Sequence, residues 1–357
     1  MSEKFIANAN LPRFLRNIKS GPLFGTIDID AELHYARLEG DLIDEISLEL
    51  PRPAVSSKPL FFAPRERVAV YPVEGYKWEP DIDPSTPQII VGVRACELYA
   101  LEMLDKIFIE GDFQEPFYTA RRQSTVIITV DCAQVTDSCW CNMLDHEHYP
   151  APSQKFDINL SPLDGGYVAV ANSDRGRQYL DSQQELFRDA TGEQVSQRDE
   201  MRKASKKILE DQNAQFSLPD KVTQVLRAKE LSRNWRDLCS TCVECGACNN
   251  VCPTCHCFYL YDQKSDVAKG AFERIKVWDA CMFMNYYRMA GAGGMKPTPS
   301  PELKTRFQRR FYKKFEWVPD VYEVLGCVAC GRCFDACPGD IDIRNVIHTI
   351  ATEAAHT

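Results

Sequence analysis

Two short runs in this 357-residue chain carry residue types whose spacing implies chemistry. Residues 242–253 read CVECGACNNVCP and residues 327–338 read CVACGRCFDACP, each a C-x2-C-x2-C-x3-C-P pattern. Three thiolates so spaced wrap a loop around one face of a metal–sulfur cluster. In bacterial two-cluster ferredoxins the fourth cysteine, before the proline, ligates the other cluster. The duplication therefore predicts two 4Fe–4S clusters with crossed ligation. Cys242, Cys245 and Cys248 with Cys337 would hold one, and Cys327, Cys330 and Cys333 with Cys252 the other. Gly246 and Gly331 are expected where the backbone must turn tightly, and Pro253 and Pro338 turn the chain after the fourth ligand. A pair of zinc knuckles is the simpler rival, but zinc explains neither the third cysteine of each run nor the C-P ending.

The chain has 16 cysteines, so eight lie outside the two runs. In a reducing compartment such a number points to metal or redox chemistry rather than disulfides. Cys96, Cys132, Cys139 and Cys141 fall in the amino-terminal part, Cys96 after one apolar run of strand length and the other three after the next. Adjacent strand ends in a parallel sheet bring such residues together, which predicts a third 4Fe–4S site. Cys239, Cys255, Cys257 and Cys281 read as packed thiols. On a helix Cys255 and Cys257 would point about 200° apart, too far to share a metal. The C-x3-C-x2-C spacing of Cys248, Cys252 and Cys255 imitates a radical S-adenosylmethionine motif, but two of those positions belong to the longer run. Gly291, Gly293 and Gly294 follow no strand and read as a turn rather than a phosphate loop.

These residues need elements to position them. Apolar runs at 60–63, 68–71, 89–93 and 126–130 read as buried strands, with a helical pattern over 98–107 between two of them. That order predicts an α/β domain over 1–175, a mixed sheet covered by helices. Residues 176–234 read as a helical connector. Residues 235–357 read as an α-helical dicluster domain of bacterial-ferredoxin type, with a long helical insertion over 258–326. A net charge of −9 argues against a nucleic-acid binder. No apolar stretch approaches the roughly 20 residues that span a bilayer, and the amino terminus has no secretory pattern, so the expected location is the cytoplasm. In ELKTRFQRRFYKKFE (302–316), Phe307, Phe311 and Phe315 form a stripe to dock on the core. Arg306, Arg309, Arg310, Lys313 and Lys314 are then left to solvent, or less simply to a partner or a cluster. His146 and His148 read as solvated loop residues. No serine–histidine–acid order or H-E-x-x-H stands out.

The segments CGACNNVCPTCHCFYLYD, ERIKVWDACMFMNY, RFQRRFYKKFEW and GCVACGRCFDACPGDIDI resemble the beta subunit of cytoplasmic sulfhydrogenases and NiFe hydrogenases, and the corresponding iron–sulfur subunit of anaerobic sulfite reductase. GVRACELYALEMLDKIF, PFYTARR and CAQVTDSCWCNML fit the same family's amino-terminal domain more loosely. Glu97, where that family commonly has Asp, and His256, where it has an aromatic, depart from the pattern without removing a thiolate. The resemblance implies an electron-transfer role. The expected partners are a reductase subunit that handles FAD and NAD(P)H, and a catalytic or further iron–sulfur subunit of hydrogenase or sulfite/sulfur reductase type. The alternative is a reductase or diaphorase subunit binding the flavin itself, for which no fingerprint is present.

Overall fold

A computed structural model describes residues 3–18, 20–71, 83–229, 232, 234–266, 271–286 and 302–353. The glycine cluster at 291–294 lies outside them. The strands are β1 (Glu3–Ala7), β2 (Leu23–Ile29), β3 (Glu32–Arg37), β4 (Arg65–Tyr71), β5 (Gln88–Val93), β6 (Thr125–Val130), β7 (Ile158–Leu163), β8 (Gly166–Ala171), β9 (Phe187–Asp189), β10 (Phe258–Asp266) and β11 (Ala271–Trp278). Eight of them form one mixed sheet in the order β3-β2-β5-β6-β7-β8-β1-β9. Its centre, β2-β5-β6-β7, is parallel, and antiparallel pairs flank it.

The two central strands, QIIVGV and TVIITV, are buried on both faces, as strands covered by helices on each side must be. Alternate side chains supply two cores. Ile89, Val91, Val126 and Ile128 pack with Phe14 and Leu15 of the helix Leu11–Asn17. Ile90, Val93 and Ile127 pack with Leu98, Leu101 and Leu104 of the helix Ala95–Phe108. This is the α/β architecture that the apolar runs imply. The run at 60–63 is different: Pro59 starts a short helix, Lys58–Phe61, there. Within residues 176–234 the long helix Gly192–Asn213 forms as expected, but β9 also adds to the sheet edge beside β1.

The expected helical insertion over 258–326 is corrected in its first part. β10 and β11 form an antiparallel hairpin there, and β11 pairs with β4. The strand at 68–71 thus joins a second, three-stranded sheet that bridges the amino-terminal and cysteine-rich parts. RIKVW alternates, and both it and FYLY are rich in aromatic or β-branched residues, which favours strand. Helix resumes at Leu303–Tyr312, passes through a π-helical turn at Lys313–Trp317 and ends with Val318–Tyr322. No described helix is long and apolar enough to cross a membrane.

Glu97 ties the parts together from the first turn of the helix Ala95–Phe108. Its carboxylate accepts the backbone N–H groups of Ser57 at 2.6 Å and Arg94 at 3.0 Å, and the Tyr35 hydroxyl at 3.0 Å. It also faces the Arg332 guanidinium at 3.5 Å, with both side chains buried. Replacing Glu97 by Ala strands two amides and a buried cation. The expected cost is about 3–5 kcal/mol, read as a lowered urea midpoint at constant slope.

Candidate metal centres

The two cysteine runs share a backbone trace. Short helices Ala247–Asn250 and Arg332–Asp335 start after Gly246 and Gly331, at φ +73° and +75°. Glu244 and Ala329, at matching places in the two runs, are also left-handed, at φ +58° and +52°. A Cβ on Gly246 would stand 2.5 Å from the Phe283 ring, and one on Gly331 2.3 Å from the Ser138 carbonyl oxygen. Both glycines are therefore required by conformation and by space. The Ala329 N–H points at the Cys327 sulfur, 3.4 Å away.

Cys242, Cys245, Cys248 and Cys337 line one cavity, bounded by Met282, Phe307 and Arg310, with Cys333 of the second run also at its wall. Cys327 and Cys252 lie within electrostatic reach of Cys333, as does Cys330. Cys337 thus stands with the first three cysteines of the first run, and Cys252 near those of the second, while Cys333 borders both groups. Cys245 is exposed, whereas Cys252 and Cys330 are buried, so the first group stands nearer the surface.

Cys96, Cys132, Cys139 and Cys141 line a second cavity, walled by Arg52, His148 and Ala329. Strand ends explain why. Cys96 sits in the first helical turn after β5, and Cys132 follows β6, its parallel neighbour. The loop carrying Cys139 is held from behind. Its carbonyl accepts Gln212 Nε2 at 2.6 Å and Asn213 Nδ2 at 3.0 Å, both from the end of the helix Gly192–Asn213. Burial pushes the Cys132 thiol up to about 11, although Arg94 acts against it. His148 is buried with its Nε2 unpartnered, and His146 stacks on Tyr99 with ring centroids 4.0 Å apart. Neither is the solvated loop residue that its polar surroundings suggest.

This second cavity abuts the ferredoxin-type loop. Trp140 N–H donates to the Ala329 carbonyl at 3.0 Å, and Arg332 Nη1 lies 3.7 Å from the Cys96 sulfur. The Arg332 guanidinium also acts on Cys330. A single arginine therefore faces one thiol from each set.

The aromatic stripe of the 302–316 segment is buried, but the solvated reading of its cations fails for Arg306, Arg310 and Lys314, which are buried as well. Lys314 Nζ lies 3.3 Å from the Cys252 sulfur and 3.8 Å from Cys255. Arg310 faces Cys248 and Cys333, with its Nε unpartnered. Burial alone would push both cations toward their neutral forms, yet the sulfurs around them hold them charged. Among the described residues no carboxylate forms an ion pair with either. Such a lining fits an anionic cluster bound by thiolates. Among the described residues no three Cys, His, Asp or Glu side chains converge closely enough on one point for a single metal ion. The thiols stand around cavities instead.

These features define an iron–sulfur protein, and residues 241–341 match the 4Fe-4S dicluster domain family. Over 342 residues, 95% of each chain, the protein is 26% identical to the beta subunit of sulfhydrogenase 2 from Pyrococcus furiosus. The homology extends through the amino-terminal domain, in keeping with the resemblance carried by the motifs.

Lys314 offers a direct test of the electrostatics. A cation beside a cluster favours its more negative, reduced state. Lys314→Met keeps the length and burial but removes the charge, so iron content should stay constant. The midpoint potential should fall by about 60 mV for each 1.4 kcal/mol of attraction lost, read by redox titration monitored by electron paramagnetic resonance.

Proposed function

We propose that this chain is the iron–sulfur electron-transfer component of a cytoplasmic multisubunit oxidoreductase. It relays electrons between a catalytic subunit of hydrogenase or sulfite/sulfur reductase type and one that handles flavin and NAD(P)H. Cys242, Cys245, Cys248 and Cys337 would hold one 4Fe–4S cluster, Cys252, Cys327, Cys330 and Cys333 a second, and Cys96, Cys132, Cys139 and Cys141 a third. When bound, these clusters supply one-electron chemistry.

The continuity of the thiol sets is the observation that carries this reading. Arg332 faces Cys96 of one set and Cys330 of the next. Arg310 faces Cys333 of that set and Cys248 of the last. The row runs from a cavity at the strand ends to the exposed Cys245. The chain's own residues hold the thiols, exclude water from the middle of the row and surround it with fixed positive charge. The name of its relative, subunit beta of a sulfhydrogenase, supports an assembly with further subunits.

The test uses the full chain purified without oxygen. Cys330→Ala should lose iron and stop electron passage between co-purified partner subunits, while their activities with artificial dyes persist. Full physiological electron transfer in this variant would overturn the relay. Cys132→Ala should remove about four irons and an equal amount of acid-labile sulfide, and unchanged iron would remove the third site from the row. Flavin released from the isolated chain by acid would instead favour the flavin-bearing reductase.

A further inference from the structure

Cys255, Cys257 and Cys281 belong to none of the three sets above. Spacing on a helix would keep Cys255 and Cys257 apart, but the chain is not helical there. After Pro253 it turns and runs extended into β10. The hairpin then returns, and Asp279 N–H donates to the Cys257 carbonyl at 2.9 Å. This closure sets Cys281, three residues beyond β11, beside the loop that carries the other two. All three thiols line one cavity, together with Asn249, His256 and Lys313.

Each sulfur has a donor aimed at it. Asn249 Nδ2 lies 3.5 Å from the Cys255 sulfur and 3.2 Å from that of Cys281, so one amide spans two thiols. Lys313 Nζ and the Tyr286 hydroxyl lie 3.2 and 3.3 Å from the Cys257 sulfur. Lys313 lines the cavity with all three thiols, and among the described residues no ion pair to a carboxylate is seen for its amine. Neutral thiols are poor partners for a largely buried ammonium, whereas metal-bound thiolates are good ones.

We infer that Cys255, Cys257 and Cys281 hold an additional iron–sulfur cluster through three thiolates, with His256 as the nitrogen donor available at its fourth position. His256 Nδ1 lies 3.0 Å from the Thr254 carbonyl. That bond takes the Nδ1 proton and leaves Nε2 with a free lone pair, the arrangement by which an outer hydrogen bond fixes the tautomer of a ligand histidine. A mononuclear zinc site would draw its sulfurs to about 2.3 Å from one ion. These sulfurs do not converge on one point, and neither do those of the ferredoxin-type sets. Cys255 lies against Cys252, so the cluster would branch from the middle of the row. A histidine in place of a fourth cysteine raises the potential of such a centre, which would make this branch a resting place for an electron.

The inference does not depend on the direction of electron flow or on the partners. The full chain and its Cys257→Ala and Cys281→Ala variants, isolated without oxygen, are analysed for iron, zinc, acid-labile sulfide and paramagnetic signals after reduction. Each variant should lose three or four irons with matching sulfide and one signal, while the signals affected by Cys132→Ala and Cys330→Ala persist. Iron unchanged in both variants, or the loss of one zinc in its place, overturns the inference. If neither variant folds, the iron left in Cys132→Ala decides, because that variant lacks the third site whether or not the wild type holds it. About 11 or 12 irons per chain in Cys132→Ala supports the additional site, and about 8 overturns it. A count of about 8 there, against about 12 in the wild type, leaves the three-set relay standing.

Discussion

The interior of the cysteine-rich domain is organised by the problem of burying positive charge. Arg310, Lys313 and Lys314 come from consecutive turns of one helical segment and reach inward among sulfurs rather than outward to water. A buried ammonium or guanidinium is tolerated only when something of opposite charge meets it. Lys314 also donates to the Thr254 hydroxyl and the Gly326 carbonyl, both at 3.0 Å, but the groups here able to carry the opposite charge are thiols, which do so when ionised by metal. Under the proposed ligation, folding of this segment would be coupled to loading of the sites, as in small metal-dependent domains. The π-helical turn Lys313–Trp317 belongs to the same arrangement. Extra-wide turns are rare and gather at functional positions, and this one begins at the two lysines whose amines meet Cys257 and Cys252.

The same constraint joins the two halves of the protein. Arg332 belongs to the second ferredoxin-type run, yet its Nε donates to the Pro53 carbonyl at 2.9 Å and its guanidinium faces Glu97. Arg52, from the amino-terminal domain, reaches back to Asp335 and to Ser138 beside Cys139. Buried charges reaching both ways across one boundary make the domains a poor candidate for independent motion. A fixed separation between thiol sets is what short-range electron transfer needs. Glu97 is longer by one methylene than the Asp common in the related family, and it uses its reach to collect Ser57, Arg94 and Arg332 together.

How much of this is legible in the sequence depends on how local the signal is. The ferredoxin-type runs are local: cysteines, glycines and prolines recur at fixed offsets in both. The Cys96 to Cys141 grouping is legible one level up, because parallel strands β5 and β6 end side by side and each is followed by a cysteine. The failures come where tertiary contact overrides local pattern. Residues 258–278 become a hairpin because β4, more than 200 residues before its partner β11, offers an edge to pair with. Arg310 and Lys314 look like solvent-facing charges until the thiols opposite them are known. His148 looks solvated until the strand ends enclose it.

Cys255 and Cys257 show the same limit most sharply. Their separation by one residue excludes a shared metal only if the backbone is helical, and the proline that ends the first run already argues against helix there. In extended chain, residues two apart lie on the same side. The two side chains can then face one cavity, and whether a third thiol joins them depends on what the hairpin brings back. Cys281, set among bulky apolar neighbours in the sequence, reads as a packing residue because nothing within its own segment identifies Asn249 or Lys313 as neighbours. Asn249 also connects the sites physically. It lies next to Cys248 in the first run and donates to two thiols outside both runs. A change in charge at those thiols would therefore be felt through a single amide at the loop that carries Cys248.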